Sequence, residues 1–273
     1  MDNTNHGTPP PPCRLHGFLA AEAPVAVLLR RGPAKNVQMI KWNTGSDTFE
    51  LGQWLKGRVY EDRCDLSPDG ALFFYTAGKY DGKHQDDRKI GSYYGVLSRP
   101  PYFTALTVWS AWSNGPAYFL SSKLLMIGRS QVSDVQKRQI PKRGRFPAGL
   151  HVETFAHENS ASIHQRHLEL TGWKSVLENE VYEKPLPTSD ATLVKTKRMQ
   201  GYSYTLRTPS DLLILTGVDW ADVDQRGRLV FTRDGKVFAC NSMENGLDGA
   251  IELADFNSST FEPLAAPEWA KAW

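Results

Sequence analysis

The sequence predicts an all-β fold, a β-propeller of about five four-stranded blades, with four or six blades as the alternatives. Three observations carry this. First, a turn signal flanked by two strand-like runs, Arg58 to Tyr75, returns along the chain: aligned on the turn glycine, Cys64 to Phe74 matches Ala221 to Phe231 and, more loosely, Ser110 to Phe119. Second, the interval from Gly70 to Gly115 is 45 residues, within the period of about 40 to 50 of four-stranded propeller blades. Third, the apolar runs are of strand length and are punctuated by Gly, Pro and Asp. A row of small twisted sheets leaves unpaired edges and apolar faces at its ends, and closing the row into a ring removes them.

Taken in order, residues 1 to 13, with Pro9 to Pro12, read as a disordered leader, and 14 to 273 as one propeller domain. Val25 to Leu29 is a strand ended by Gly32-Pro33, and Asn36 to Trp42 is a second. These look like the last two strands of a unit, to be completed by strands from elsewhere in the chain. Trp42-Asn43 with Thr48-Phe49-Glu50 and Trp54 is echoed by Phe256-Asn257 with Thr260-Phe261-Glu262 and Trp269, read as the outer strand and exit turn of one kind of unit. A unit runs from an inner strand through the Pro-Asp-Gly hairpin to a third strand such as Gly235 to Ala239, then to an outer strand such as Ile251 to Phe256. From Gly115 to Gly227 there are 112 residues, too many for two periods and too few for three. Degenerate blades and an insertion over Ser130 to Pro147 account for them. Beyond it, His151 to Phe155, Ile163 to Leu170, Ser175 to Tyr182, Ala191 to Lys197, Tyr202 to Leu206 and Leu212 to Leu215 read as strands.

Composition narrows the class. Hydrophobic residues are 40% and charged residues 23% of the chain, as in ordinary soluble globular proteins. The apolar run near the N-terminus, Pro24 to Leu29, is far short of the roughly 20 residues of a spanning helix. No signal peptide is read in residues 1 to 12, so a cytoplasmic protein without a membrane segment is expected. Cys13, Cys64 and Cys240 lack C-x-x-C spacing and suit reduced thiols. A net charge of +2 does not point to nucleic acid, although Arg129 to Arg145 is locally basic.

The strings at 16 to 20, 42 to 57, 58 to 70, 98 to 106, 218 to 239 and 255 to 270 resemble a family of uncharacterised bacterial proteins, which implies a bacterial origin. The Leu66-Ser67-Pro68-Asp69-Gly70 hairpin and its aromatic-rich strand are similar to the units of TolB-type and WD40-like propellers. That resemblance implies the fold; propellers host enzymes and scaffolds alike.

Several clusters are candidates for chemistry. His151, His157, His164 and His167 stand close in sequence with Glu153 and Glu158; in a strand, His151, Glu153 and His157 share one face. Ala161 stands where the H-E-x-x-H zinc pattern needs histidine, so no metal and no cofactor is expected. Asp65, Asp69, Asp219, Asp222 and Asp224 sit around the turns, where aspartates cap backbone groups; paired carboxylates would also suit glycosidic acid/base work. Aromatics crowd Tyr93 to Phe119, and most fill the space between sheets. With no P-loop, Rossmann fingerprint or G-x-S-x-G elbow, no catalytic residue is assigned. The expectation is a binding or scaffold propeller that recognises a protein partner or small anionic ligand through Arg58, Arg63, Arg99, Tyr102, Trp112 and Trp220. The alternative is a propeller hydrolase with carboxylates or a metal in its central cavity.

Overall fold

Side chains alternate between the two faces of a strand, so runs apolar at both parities bury both faces, and this chain uses them to stand five small sheets around an axis. The computed structural model describes residues 11–32, 36–78, 93–110, 116–128, 146–178, 180–199, 201–241 and 246–272.

Blade one comprises β1 (Arg14–Leu19), β2 (Val25–Arg31), β3 (Asn36–Asn43) and β4 (Thr48–Lys56), antiparallel in that order. In blade two the inner position is shared by β5 (Arg58–Val59) and β6 (Asp65–Leu66), separated by a 3-10 turn at Glu61–Arg63. β7 (Phe73–Gly78), β8 (Tyr93–Ser98) and β9 (Thr107–Ser110) follow outward. Blade three holds β10 (Ala117–Ser121), β11 (Leu124–Gly128) and β12 (His151–Phe155), the last running parallel to β11. After helix α1 (Ser160–Leu170), blade four contributes β13 (Lys174–Leu177), β14 (Val181–Pro185), β15 (Thr192–Lys197), β16 (Tyr202–Arg207) and β17 (Leu212–Ile214). Blade five is β18 (Val218–Val223), β19 (Leu229–Arg233), β20 (Lys236–Cys240) and β21 (Ile251–Asp255). No helix among the described residues is long and apolar enough to cross a membrane.

The cores lie between blades. Val27, Leu29 and Met39 of blade one pack with Phe73 and Tyr75 of blade two. The opposite parity of blade one, Leu28, Ile40 and Trp42, packs with Trp220, Val230 and Val237 of blade five. Phe74 and Leu97 meet Phe119 and Leu125 between blades two and three, and Tyr204 and Leu206 meet Leu229 and Phe231 between blades four and five. The junction between blades three and four is filled by α1, which sends Ile163 against Met126 and Phe155 and Leu168 into the core shared by blades four and five.

The structure corrects several sequence expectations. Ile163 to Leu170 is helix, not strand, and a Schellman cap ends it: Trp173 N–H donates to Leu168 O (2.8 Å) and Gly172 N–H to Glu169 O (3.1 Å), with Gly172 at φ 79°. Ser175 to Tyr182 divides into the β13–β14 hairpin. Blade one is complete within Arg14–Lys56, so no strand from elsewhere completes it. The loose third copy of the turn falls between β9 of blade two and β10 of blade three, which belong to different sheets, and its residues 111–115 lie outside the described part. The echo between residues 42–54 and 256–269 is not a repeated unit either. The two segments pack on one another, Phe49 on Phe256 (ring centroids 5.4 Å apart) and Trp54 on Phe261 (6.0 Å). The basic stretch 129–145 lies outside the described residues.

Blade five is clasped to blade one by polar groups as well. Arg228, its side chain 5% exposed, donates from Nε to Asp224 Oδ2 (2.8 Å), from Nη1 to Asp47 Oδ2 (2.8 Å), and from Nη2 to Asp47 Oδ1 (2.9 Å) and Thr44 O (3.0 Å). Gly17 on β1 lies so close beneath Trp220 that a Cβ there would stand 2.7 Å from the indole. Beyond β21 the chain continues over blade one: Gln53 Nε2 donates to Leu264 O (2.9 Å), and Tyr102 packs on Trp269 (5.5 Å).

Removing one partner of a buried ion pair leaves an uncompensated charge, which costs about 3 kcal/mol or more. Arg228→Met is expected to lower unfolding stability by about that much in urea titrations, because the Asp224 carboxylate is left fully buried. Gly17→Ala should cost about 1 to 3 kcal/mol through overpacking. Wild-type stability in both variants would contradict this account of closure.

Candidate functional site: the axial cavity

Where propeller strands converge on the axis, their twist leaves a space that only side chains or a ligand can fill. Here it is a cavity of about 1650 Å³, walled by β1, the β5–β6 segment, α1, the face of blade four and β18. Because α1 occupies the junction of blades three and four, the wall includes residues from the face of blade four as well as inner-strand edges.

Lys195 is the centre of that face. It lies on β15 with the same parity as the buried Leu193, and cross-strand pairing places Tyr182 and Tyr204 beside it. Its ammonium Nζ lies 4.2 Å from the centroid of Trp173, 5.1 Å from that of Tyr202 and 5.2 Å from that of Tyr182. Each ring face attracts the cation, by about 0.5 to 2 kcal/mol depending on desolvation. Among the described residues this ammonium makes no hydrogen bond or ion pair. Burial lowers its pKa to about 8; Lys184 adds to the depression and Asp222 opposes it. Asp222 is engaged elsewhere, accepting from Lys184 Nζ at 2.7 Å and from Trp173 Nε1 at 3.4 Å.

Further cations share the cavity. Arg14 lies at its edge, and Arg58 and Arg63 both stack on Tyr60, at 4.9 and 5.2 Å. Arg31 is held by Glu61 (3.2 Å). His16, on β1, is kept neutral by burial first and then by the charges of Lys195, Arg31 and Arg14, which together bring its pKa to about 3.

On the other wall Asp65 and His167 face each other, Oδ2 to Nδ1 at 3.5 Å. Asp65 accepts the N–H groups of Phe119 (2.7 Å) and Leu66 (3.0 Å), tying the inner strands of blades two and three together. Burial raises Asp65 well above the usual carboxylate range and lowers His167 to about 4. Desolvation therefore favours a protonated carboxyl beside a neutral imidazole. Tyr118 covers both helix histidines, 4.8 Å from His167 and 5.5 Å from His164. A helix puts residues three apart on one face, whereas a strand puts them on opposite faces.

Of the residues singled out by sequence, Arg58, Arg63 and Trp220 line this cavity, the last mainly as core between blades five and one. Arg99 and Tyr102 stand elsewhere: Arg99 lines a smaller cavity of about 460 Å³ and donates to Trp269 O, and Tyr102 is buried under Ala266 and Ala270. Trp112 lies outside the described residues. Asp69 and Asp224 cap their turns, accepting the N–H groups of Ala71 and Arg226. His151 and Glu153 are exposed on β12, and the chain at His157 has left the strand for a 3-10 turn. Among the described residues no three His, Cys, Asp or Glu side chains are grouped to hold a metal ion. Sequence reasoning missed Lys195, Trp173, Tyr182, Tyr202, Arg14 and His16. The available signal was a lysine on the apolar parity of a strand, between Leu193 and the tyrosines of β16.

No protein-family model matches the chain, and a search of curated proteins returns no significant match. Among solved structures the chain is similar to the acylaminoacyl peptidase of Pyrococcus horikoshii, with a TM-score of 0.37 and 7% identity, over 90% of this chain and 45% of the peptidase. The chain thus spans less than half the length of that enzyme. It is also similar to an uncharacterized protein of Listeria monocytogenes EGD-e, with a TM-score of 0.33 and 6% identity, over 94% of this chain and 86% of the other.

The neutral His16 yields a pH dependence. Its folded pKa of about 3 lies below the ordinary 6.5, so below pH 6.5 the unfolded chain binds a proton that the folded chain refuses. Stability contributed by this site is complete above 6.5 and falls as pH drops toward 3, by up to about 1.4 kcal/mol per pH unit. Urea titrations at pH 6.5 and 5.5 should show a smaller loss in His16→Asn than in the wild type; equal losses would contradict the assignment.

Proposed function

We propose that the protein is a binding propeller whose axial cavity takes a small anionic ligand with a flat apolar part, in a cytoplasmic, bacterial setting of the TolB/WD40-like kind. The single observation that carries this reading is the unpaired ammonium of Lys195, boxed by Trp173, Tyr182 and Tyr202 and opening on the same cavity as Arg14 and Arg58. A cation held in a dry aromatic wall attracts an anion far more strongly than one in water. The rings offer the ligand's planar portion a surface at little entropic cost. The volume of about 1650 Å³ exceeds what a small metabolite needs, so part of the cavity stays hydrated.

A hydrolytic reading has one observation in its favour, the Asp65–His167 pair on the opposite wall. A carboxyl behind an imidazole is the arrangement of a general base. Asp65 also caps two backbone N–H groups, and that structural work accounts for its position without catalysis.

Calorimetric titration with benzoate, phenyl phosphate and inorganic phosphate tests the binding reading. The aromatic anions should bind more tightly than inorganic phosphate, and Lys195→Met or Arg14→Gln should each weaken them by about tenfold, equivalent to about 1.4 kcal/mol. Affinities indifferent to both substitutions and to salt would overturn it.

A further inference from the structure

We infer that Lys195 is a reactive amine that captures small carbonyl compounds as an imine within the axial cavity, the class favoured being an aldehyde or keto acid bearing a carboxylate. This rests on the anion-binding reading above, since the neighbouring cations would hold the carboxylate while the amine meets the carbonyl carbon.

The geometry supplies what such a lysine needs. A lysine is activated by desolvation in an apolar pocket or by a second nearby cation. Lys195 relies on the first: three ring faces within 5.2 Å of Nζ exclude water on those sides, while Lys184, 5.7 Å from the centroid of the same Trp173, is offset by its ion pair with Asp222. Asp222, the carboxylate on β18 that favours the charged form, is already engaged by Lys184 and Trp173. The other charged or titratable groups around it include His16 on β1, held neutral, His167 on α1, also neutral, and the phenols of Tyr182, Tyr202 and Tyr204, all raised by burial. None of these is an anion at neutral pH that would pin the ammonium in its charged state. The side left open faces the cavity.

The step balances without an oxidant. The neutral amine adds its lone pair to the carbonyl carbon while the carbonyl π pair moves to oxygen. A proton then passes from nitrogen to oxygen through cavity water to give the carbinolamine. Loss of that oxygen as water leaves the imine, and hydrolysis reverses every step.

With a pKa of about 8 against 10.5 for an ordinary lysine, about one Lys195 in eleven is a free amine at pH 7, against about one in three thousand elsewhere. A less basic amine is a weaker nucleophile, so the expected net advantage is about tenfold or more. The test incubates the full-length protein with glyoxylate and sodium cyanoborohydride, which reduces any imine to a stable secondary amine, and maps the modified lysines by peptide mass spectrometry. Lys195 should be labelled at least about tenfold faster at pH 7 than the exposed Lys174 and Lys197, with the advantage shrinking toward pH 10. Equal labelling of the three would overturn the proposal, and because it is read on wild-type protein no variant need fold. Lys195→Arg should abolish the label at that position, and glycolate, which has the carboxylate but no carbonyl, serves on the wild-type protein as the competitor for the anion site. If glycolate binds at the cavity but glyoxylate is not trapped on Lys195, the amine falls and the anion site stands. Trapping at Lys195 that excess glycolate does not slow would uphold the amine and remove the anion site.

Discussion

Everything in this protein depends on burying both faces of sheets too small to be stable alone. A four-stranded sheet with apolar residues at both parities exposes two hydrophobic faces, and only neighbours on each side remove them from water. Blade one shows the demand directly, with Val27 and Leu29 against blade two and Leu28 and Ile40 against blade five. Closure of the ring is therefore where the polar clasp concentrates. Arg228 spans Asp224 and Asp47, Gly17 admits Trp220, and the chain beyond β21 runs across β4 toward Tyr102. Among the described residues no strand is exchanged between the ends of the ring, and these contacts stand where such an exchange would.

One junction departs from sheet-on-sheet packing, and the candidate site follows from it. Helix α1 stands between blades three and four, so the wall of the axial space is built from a helix face and a sheet face together. That arrangement brings His164 and His167 beneath Tyr118 and opens Trp173, Tyr182, Lys195 and Tyr202 toward the cavity. An ordinary inner strand in place of the helix would offer only alternate side chains along an edge.

The electrostatics of the cavity are those of groups taken out of water and given few counter-charges. Asp65, Glu61 and Asp219 are raised by burial, whereas His16 and Lys195 are lowered. Each shift moves a group toward its neutral form, which is what a low-dielectric wall does to any ionisable side chain. A ligand carrying a compensating charge would restore what desolvation removed, and this is the physical basis of the binding reading proposed above.

The amino-acid sequence by itself determined the all-β ring, because hairpin chemistry at Gly70 and Gly227 and strand-length apolar runs punctuated by turn residues are local signals written in neighbouring residues. It also carried, unread, the end of α1: Thr171-Gly172 before Trp173 is a helix-cap pattern, and the odd spacing of His164 and His167 suits one face of a helix and not of a strand. Only the tertiary structure decided the site. Lys195, Arg14, His16, Asp65 and His167 come from separate strands and a helix, and no local spacing relates them. It likewise decided that Arg99 and Tyr102 belong under the C-terminal segment and not with Arg58 and Arg63. A residue's partners across a ring are fixed by which blades become neighbours, and that is a property of closure, expressed once the whole chain has folded.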